Sequence, residues 1–221
     1  MPDRYSSYAA LAAARVEGVD YSRTAVSPVG ATWASIAIHG GSIEAGSGEV
    51  ARDVAGVGLR FYEFAGLLDS GNRELHLTSS RFDEPMALDV VGGAMGTLSF
   101  HGYAGTAGVA ETAIGGLDRV AVEEVATALR RAGFQVVDAL GGIAGDHPAN
   151  VCNRNSRSAG VQLEMSRALR AGFFPRGDLS QRMRDSGRRT DSFRAYVAAV
   201  RSVVADCGAL PPRSSLHSSR W

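Results

Sequence analysis

With 221 residues, 45% of them apolar, the chain is long enough for one well-covered core and short for two independent domains. Its 23 basic and 23 acidic residues cancel, but every base is Arg, and a chain without Lys has no Schiff-base lysine, no catalytic lysine and no phosphate-loop lysine. Two cysteines, Cys152 and Cys207, are too few for a disulfide framework, and neither belongs to a CxxC pair.

Residues 5–15, rich in Ala with Tyr5, Tyr8 and Leu11, predict a short helix, and a turn-rich passage follows to about Gly30. Ile36-Ala37-Ile38-His39-Gly40-Gly41-Ser42-Ile43-Glu44 then predicts a buried strand that runs into a glycine turn carrying a histidine and a carboxylate. Side chains just past such a strand stand in the crevice where open α/β folds keep their chemistry. Glu49–Val57 reads as a helix, and Leu59–Phe64 and Glu74–Thr78 read as strands. Hydroxyls, acids and a proline over 79–85 announce a helix over Met86–Val91. A strand from Ala94 ends in Phe100-His101-Gly102-Tyr103, which repeats the order strand, histidine, glycine.

Asp118–Ala132 has Leu117, Val120, Val125, Ala128 and Leu129 at near-helical spacing and a glycine stop at Gly133. Phe134–Ala139 predicts the next strand. Residues 141–160 form a polar loop too long for a mere connection. Val161–Glu164 predicts another buried strand, Ser166–Ala171 and Asp191–Cys207 predict helices, and Pro211–Trp221 a tail. Strands alternating with helices imply an α/β fold: one three-layer αβα domain over 1–221 with a mostly parallel or mixed sheet, its core about 30–207 and its tail 208–221.

Three strand ends thus carry His39 with Glu44, His101, and Glu164. Two histidines and one carboxylate would hold a zinc ion with a position left for water, and a further carboxylate would remain as the base. Glu164 could take the water's proton and pass it to a leaving amine. Other features weigh less. Gly46-Ser47-Gly48 starts too far from its strand for a dinucleotide fingerprint. His76 and His147 read as strand and turn histidines, and Cys152 as a buried inert thiol. The arginines lack interleaved aromatics, so no nucleic-acid partner is expected. No stretch approaches bilayer length and the N-terminus has no signal-peptide pattern, so a soluble protein without a cleaved leader or membrane partner is expected.

At these residues the sequence resembles the phage and bacterial poly-γ-glutamate hydrolases, which have a zinc-carboxypeptidase-like fold. The matching stretches are Ala37–Glu44, Phe82-Asp83-Glu84-Pro85, Phe100–Tyr103 and Gly160–Glu164. The resemblance implies one Zn²⁺ held by His39, Glu44 and His101, Glu164 as general base, and hydrolysis of γ-linked glutamate polymer in the cytoplasm or after release on phage lysis. The gap between His39 and Glu44 departs from the wider carboxypeptidase pattern, which spaces these ligands more closely. A zinc amidase for another acidic acyl or peptide substrate is the rival enzyme, and a zinc-dependent binder of anionic polymer the rival without catalysis.

Charge bears on the substrate. Residues 1–153 hold 10 Arg and 18 acids, net −8, and residues 154–221 hold 13 Arg and 5 acids, net +8. Either the C-terminal third faces an anionic partner or the two parts pair inside the fold. Asn153, Arg154 and Arg157, in the loop leading to Glu164, are the candidates for holding substrate carboxylates through bidentate bonds. Arg167 and Arg170 are expected on a helix surface.

Overall fold

The computed structural model describes residues 3–208. One of the two strands at the heart of the sheet is the buried strand that the sequence marks first. β2 (Trp33–Gly41) is buried along all but its last residue, as an apolar strand covered on both faces must be. Around it stand β1 (Tyr21–Val26), β3 (Arg60–Gly66), β4 (Gly96–Tyr103), β5 (Glu111–Gly116), β6 (Gln135–Asp138) and β7 (Val161–Ser166). They form one seven-stranded sheet in the order β1-β3-β2-β4-β7-β5-β6. Strands β3, β2, β4 and β7 run parallel, β1 pairs antiparallel with β3, and β5 pairs antiparallel with β7 and parallel with β6. The sheet is therefore mixed, with the parallel part at its centre.

Side-chain alternation sends two apolar sets to opposite faces. Trp33, Leu98, Phe100 and Leu163 pack with residues of α2 (Ser47–Ala55), α4 (Arg119–Arg131), α5 (Arg167–Gly172) and α7 (Asp191–Gly208). Ala34, Ile36, Tyr62 and Phe64 pack with Leu11 of α1 (Tyr8–Ala14), Val90 and Val91 of α3 (Pro85–Gly92), and Leu75, Leu77 and Phe82. A further short helix, α6, covers Gln181–Asp185. Helices on both faces of one sheet give the expected three-layer arrangement. The start of α3 shows how sequence sets a boundary: Pro85 occupies the first turn and the buried Glu84 carboxylate accepts from the N–H groups of Met86 (3.0 Å) and Ala87 (2.8 Å).

Three expectations need correction. The turn-rich passage before Gly30 contains β1, and the stretch after Tyr103 contains β5. Residues 74–78 are not a strand: Asn72–Leu75 is a 3₁₀ turn and the following residues stay outside the sheet. Leu75 and Leu77 are buried beside Phe82 without any ladder partner, so their alternation reports burial and not pairing. Of the expected tail, residues 209–221 lie outside the described residues. Among the described residues no helix is long and apolar enough to cross a membrane.

Candidate metal centre

Strict alternation along β2 would turn His39 toward the α2 face, since Ala37 packs there. It does not point that way. Pairing with β3 shifts between Ala37 and Gly40: three residues of β2 span what two residues of β3 span, Glu63 to Ala65. This bulge re-aims the side chain that follows it, so Ile38 and His39 both face the layer of Leu75 and Leu77. Gly41, at φ +59, then bends the chain, and a Cβ there would meet the backbone oxygen of Gly66 at 2.5 Å. The turn closes with the Glu44 N–H donating to the His39 carbonyl (3.0 Å), which brings the Glu44 carboxylate back over the histidine.

His101 reaches the same place from β4. Its Nδ1 lies 3.1 Å from His39 Nδ1. Glu44 Oε1 is 3.1 Å from His39 Nδ1, and Oε2 is 3.5 Å from His101 Nδ1. Each far nitrogen is engaged: His39 Nε2 with the Leu77 carbonyl at 2.9 Å and His101 Nε2 with the Ser99 hydroxyl at 2.8 Å. A carbonyl can only accept, so His39 Nε2 carries a hydrogen and Nδ1 is the ring atom left facing the centre, where a neutral imidazole offers its lone pair. The Ser99 hydroxyl can accept from His101 in the same way. Two imidazole Nδ1 atoms and a carboxylate then converge on one point, the donor set of a cation site.

The donor set fits zinc. Ligands ~2.0–2.2 Å from a tetrahedral zinc stand roughly 3.3–3.5 Å apart, and the observed separations are 3.1, 3.1 and 3.5 Å. The three donor atoms all lie within 4.8 Å of one another. Held far nitrogens are also what fixes a metal-binding imidazole in its working tautomer. The electrostatics agree. Burial alone would raise the Glu44 carboxyl, but the two histidines outweigh it and hold Glu44 well below the usual range. Burial likewise disfavours charge on His101, yet its bond to Glu44 and the charges of Glu164 and Glu44 raise it above the ordinary imidazole value.

Glu164 flanks this cluster. It is the fourth residue of β7, not its last, and it stands in register with His101 on the neighbouring parallel strand. A chain of bonds with fixed polarity orients it. Asn150 Oδ1 accepts the Cys152 N–H (3.1 Å), so Asn150 Nδ2 must donate to Gln162 Oε1 (2.8 Å), and Gln162 Nε2 is left to donate to Glu164 Oε1 (2.9 Å). Burial raises the Glu164 carboxyl above its ordinary value, and the Glu44 charge adds to this against the opposing pull of His101.

The model of the family described as poly-gamma-glutamate hydrolase matches residues 5–199. This chain belongs to the poly-gamma-glutamate hydrolase family. A solved structure described as that of a bacteriophage poly-gamma-glutamate hydrolase superposes with a TM-score of 0.88 at 33% identity, covering 93% of this chain and 98% of the other. A second, described as zinc-free apo YNDL, gives 0.86 at 31% identity, covering 93% and 99%. The SPbeta prophage-derived protein YoqZ of Bacillus subtilis (strain 168) is 35% identical over 171 residues, which is 76% of this chain and 60% of YoqZ. The chain thus spans about 60% of the length of that relative.

Within this family member, the loop candidates stand apart from the cluster. Asn155 bonds Thr97 Oγ1 (3.1 Å) and Ser156 bonds the Ala94 carbonyl (2.8 Å), so the loop lies at the edge where β4 begins. His101 is four residues further along that strand, ~13 Å away at the rise of an extended chain. Asn153 is buried and fully engaged in the loop: its Nδ2 donates to the carbonyls of Gly145 (2.7 Å) and His147 (3.1 Å), and its Oδ1 accepts from Gly160 (2.9 Å). Arg157 pairs with Asp118 (3.1 Å), and Arg154 is exposed. Three residues of β7 separate the end of this loop from Glu164, and the loop side chains Asn153 and Arg157 are engaged away from the cluster. His76, set aside in the sequence, stacks on His39 with ring centroids 4.0 Å apart. Arg170, expected on a helix surface, is buried.

Proposed function

We propose that this chain is a zinc-dependent hydrolase of γ-glutamyl amide bonds in poly-γ-glutamate, acting as a single domain. His39, Glu44 and His101 would hold one zinc ion and Glu164 would be the general base. Family membership supports the substrate. The observation that carries the metal reading is the convergence of His39 Nδ1, His101 Nδ1 and the Glu44 carboxylate within 4.8 Å, with both imidazoles held from behind.

When bound, zinc supplies Lewis acidity, which brings a water's pKa toward ~7 and polarises a carbonyl oxygen. The remaining work falls to side chains. His39 and His101 bind as neutral imidazoles, and Glu44 adds one negative charge, fixed by the Gly102 N–H donating to its Oε2 at 2.9 Å. Glu164 accepts the proton of the attacking water and returns it to the leaving amide nitrogen. A carboxylate made more basic by burial is a better proton acceptor than an ordinary one, and Gln162 keeps it aimed without supplying a second base. The prophage origin of YoqZ and the bacteriophage neighbour support a phage-encoded product released on lysis.

The test is digestion of purified poly-γ-glutamate followed by size analysis. Shortening that stops with a chelator and returns with added zinc supports the reading. Undiminished polymer length with zinc present would overturn it.

A further inference from the structure

Arg170, the fourth residue of α5, is only 6% exposed and accounts for a contact that neither the metal ligands nor the base explain. Its guanidinium donates to three backbone carbonyls: Nε to Met165 (3.1 Å), Nη1 to Ala45 (2.6 Å) and Nη2 to Tyr103 (3.2 Å). Each carbonyl belongs to a different segment of the centre. Ala45 follows Glu44, Met165 follows Glu164, and Tyr103 lies two residues beyond His101.

The surroundings are shaped to admit this side chain. A Cβ at Gly102 would stand 2.4 Å from the Arg170 Cζ and 2.5 Å from its Nε. Gly102 thus leaves room for the guanidinium while its own N–H holds Glu44. Gly46, at φ +101, folds the turn after Glu44 onto the arginine stem, where a Cβ would come within 3.3 Å of Arg170 Cβ. A planar fork presents N–H groups in fixed directions to three carbonyls on separate segments; a lysine ammonium is a point charge on a flexible stem. Among the described residues no carboxylate pairs with Arg170 directly, although the charges of Glu44 and Glu164 both reach it.

We propose that Arg170 is the positioning residue of the metal centre: its guanidinium sets the placement of Glu44 relative to His101 and Glu164 by clamping the backbone that follows each. The proposal rests on the zinc reading above. Outer partners of a metal centre are typically worth 10- to 100-fold in affinity or activity.

The experiment compares the unmodified 221-residue protein with Arg170→Lys and Arg170→Ala. Zinc affinity is measured by competition with a chromogenic chelator, thermal stability on the zinc-free protein, and kcat and KM on poly-γ-glutamate. Arg170→Lys is expected to keep its fold, bind zinc about 10- to 100-fold more weakly, and lose more in kcat than in KM. Millimolar guanidinium chloride is expected to restore zinc affinity to Arg170→Ala by entering the space beside Gly102, and to leave the unmodified protein unchanged. Unaltered zinc affinity in both variants would overturn the proposal. So would a parallel loss of stability and affinity that guanidinium does not restore, which is the signature of a merely structural arginine. If Arg170→Ala does not fold, the Lys variant decides alone, through its affinity and its kcat-to-KM split. Failure of the unmodified protein to bind zinc would sink the zinc reading itself, and shows before any variant is made.

Discussion

Replacing Glu164 with Gln removes one proton acceptor and little else. Gln162 Nε2 donates to Glu164 Oε1 at 2.9 Å, and the carbonyl oxygen of a glutamine can take that bond in place, so the chain from Asn150 stays intact. General acid–base assistance is typically worth ~10² to 10⁴ in rate, or about 3–5 kcal/mol of barrier at 1.36 kcal/mol per decade. Stability should move the other way. Glu164 has a folded pKa raised by burial, so its ionised form opposes folding at neutral pH and stability is regained as pH falls through the raised value. The neutral glutamine carries no such cost. Glu164→Gln is therefore expected to melt no lower than the unmodified protein, retain zinc, and hydrolyse polymer at least 100-fold more slowly by initial rates of chain shortening. Hydrolysis within about threefold of the unmodified rate, well inside the ~10² expected, would remove Glu164 from the mechanism, and loss of zinc would reassign it as a ligand.

Acid should destabilise the zinc-free protein in a window set by His76. Burial first, then the charge of His39, lowers its pKa to about 4 against the opposing bond to Asp3. The unfolded chain takes up this proton near 6.5 and the folded one does not, so stability falls between about pH 6.5 and 4, by up to about 3 kcal/mol. His101, with its raised value, acts above that window and in the opposite direction. Urea titrations at several pH values check the slope, and His76→Gln should flatten it; a flat profile in the unmodified protein would refute the assignment. Arg154→Ala should leave polymer turnover within about twofold, as for exposed side chains away from a site, because Arg154 is exposed in a loop that packs beside the start of β4; a large rise in KM would return it to the substrate. Gln162→Leu strands the Asn150 donor and frees Glu164, so urea midpoints should report a loss of about 1–3 kcal/mol and kcat should drop with zinc retained. An unchanged midpoint would mean that the chain of bonds is not formed.

The centre of the fold was legible because its strands are short, largely apolar runs that lead into His-Gly pairs. Ile36–Gly41 and Leu98–Gly102 announce buried strands whose histidines fall toward one edge, and Glu44 follows by a turn too short to carry it elsewhere. The bulge after Ala37 was not legible: one extra residue in β2 depends on pairing with β3, and nothing in the local sequence marks it. The strands missed were β1, an edge strand broken by Ser22, Arg23 and Thr24, and β5, which ends in two glycines and pairs antiparallel with β7 and parallel with β6. An isolated short helix put Arg170 on the surface, whereas its guanidinium lies buried beside Gly102.

The most direct measurement is diffraction from crystals of the zinc-loaded protein, with anomalous data on both sides of the zinc absorption edge. The account predicts one zinc peak, with His39 Nδ1, His101 Nδ1 and a Glu44 oxygen at ~2.0–2.2 Å from it and Glu164 outside the ligand set. A peak at other residues, or ligation through the Nε2 atoms now engaged by Leu77 and Ser99, would contradict it.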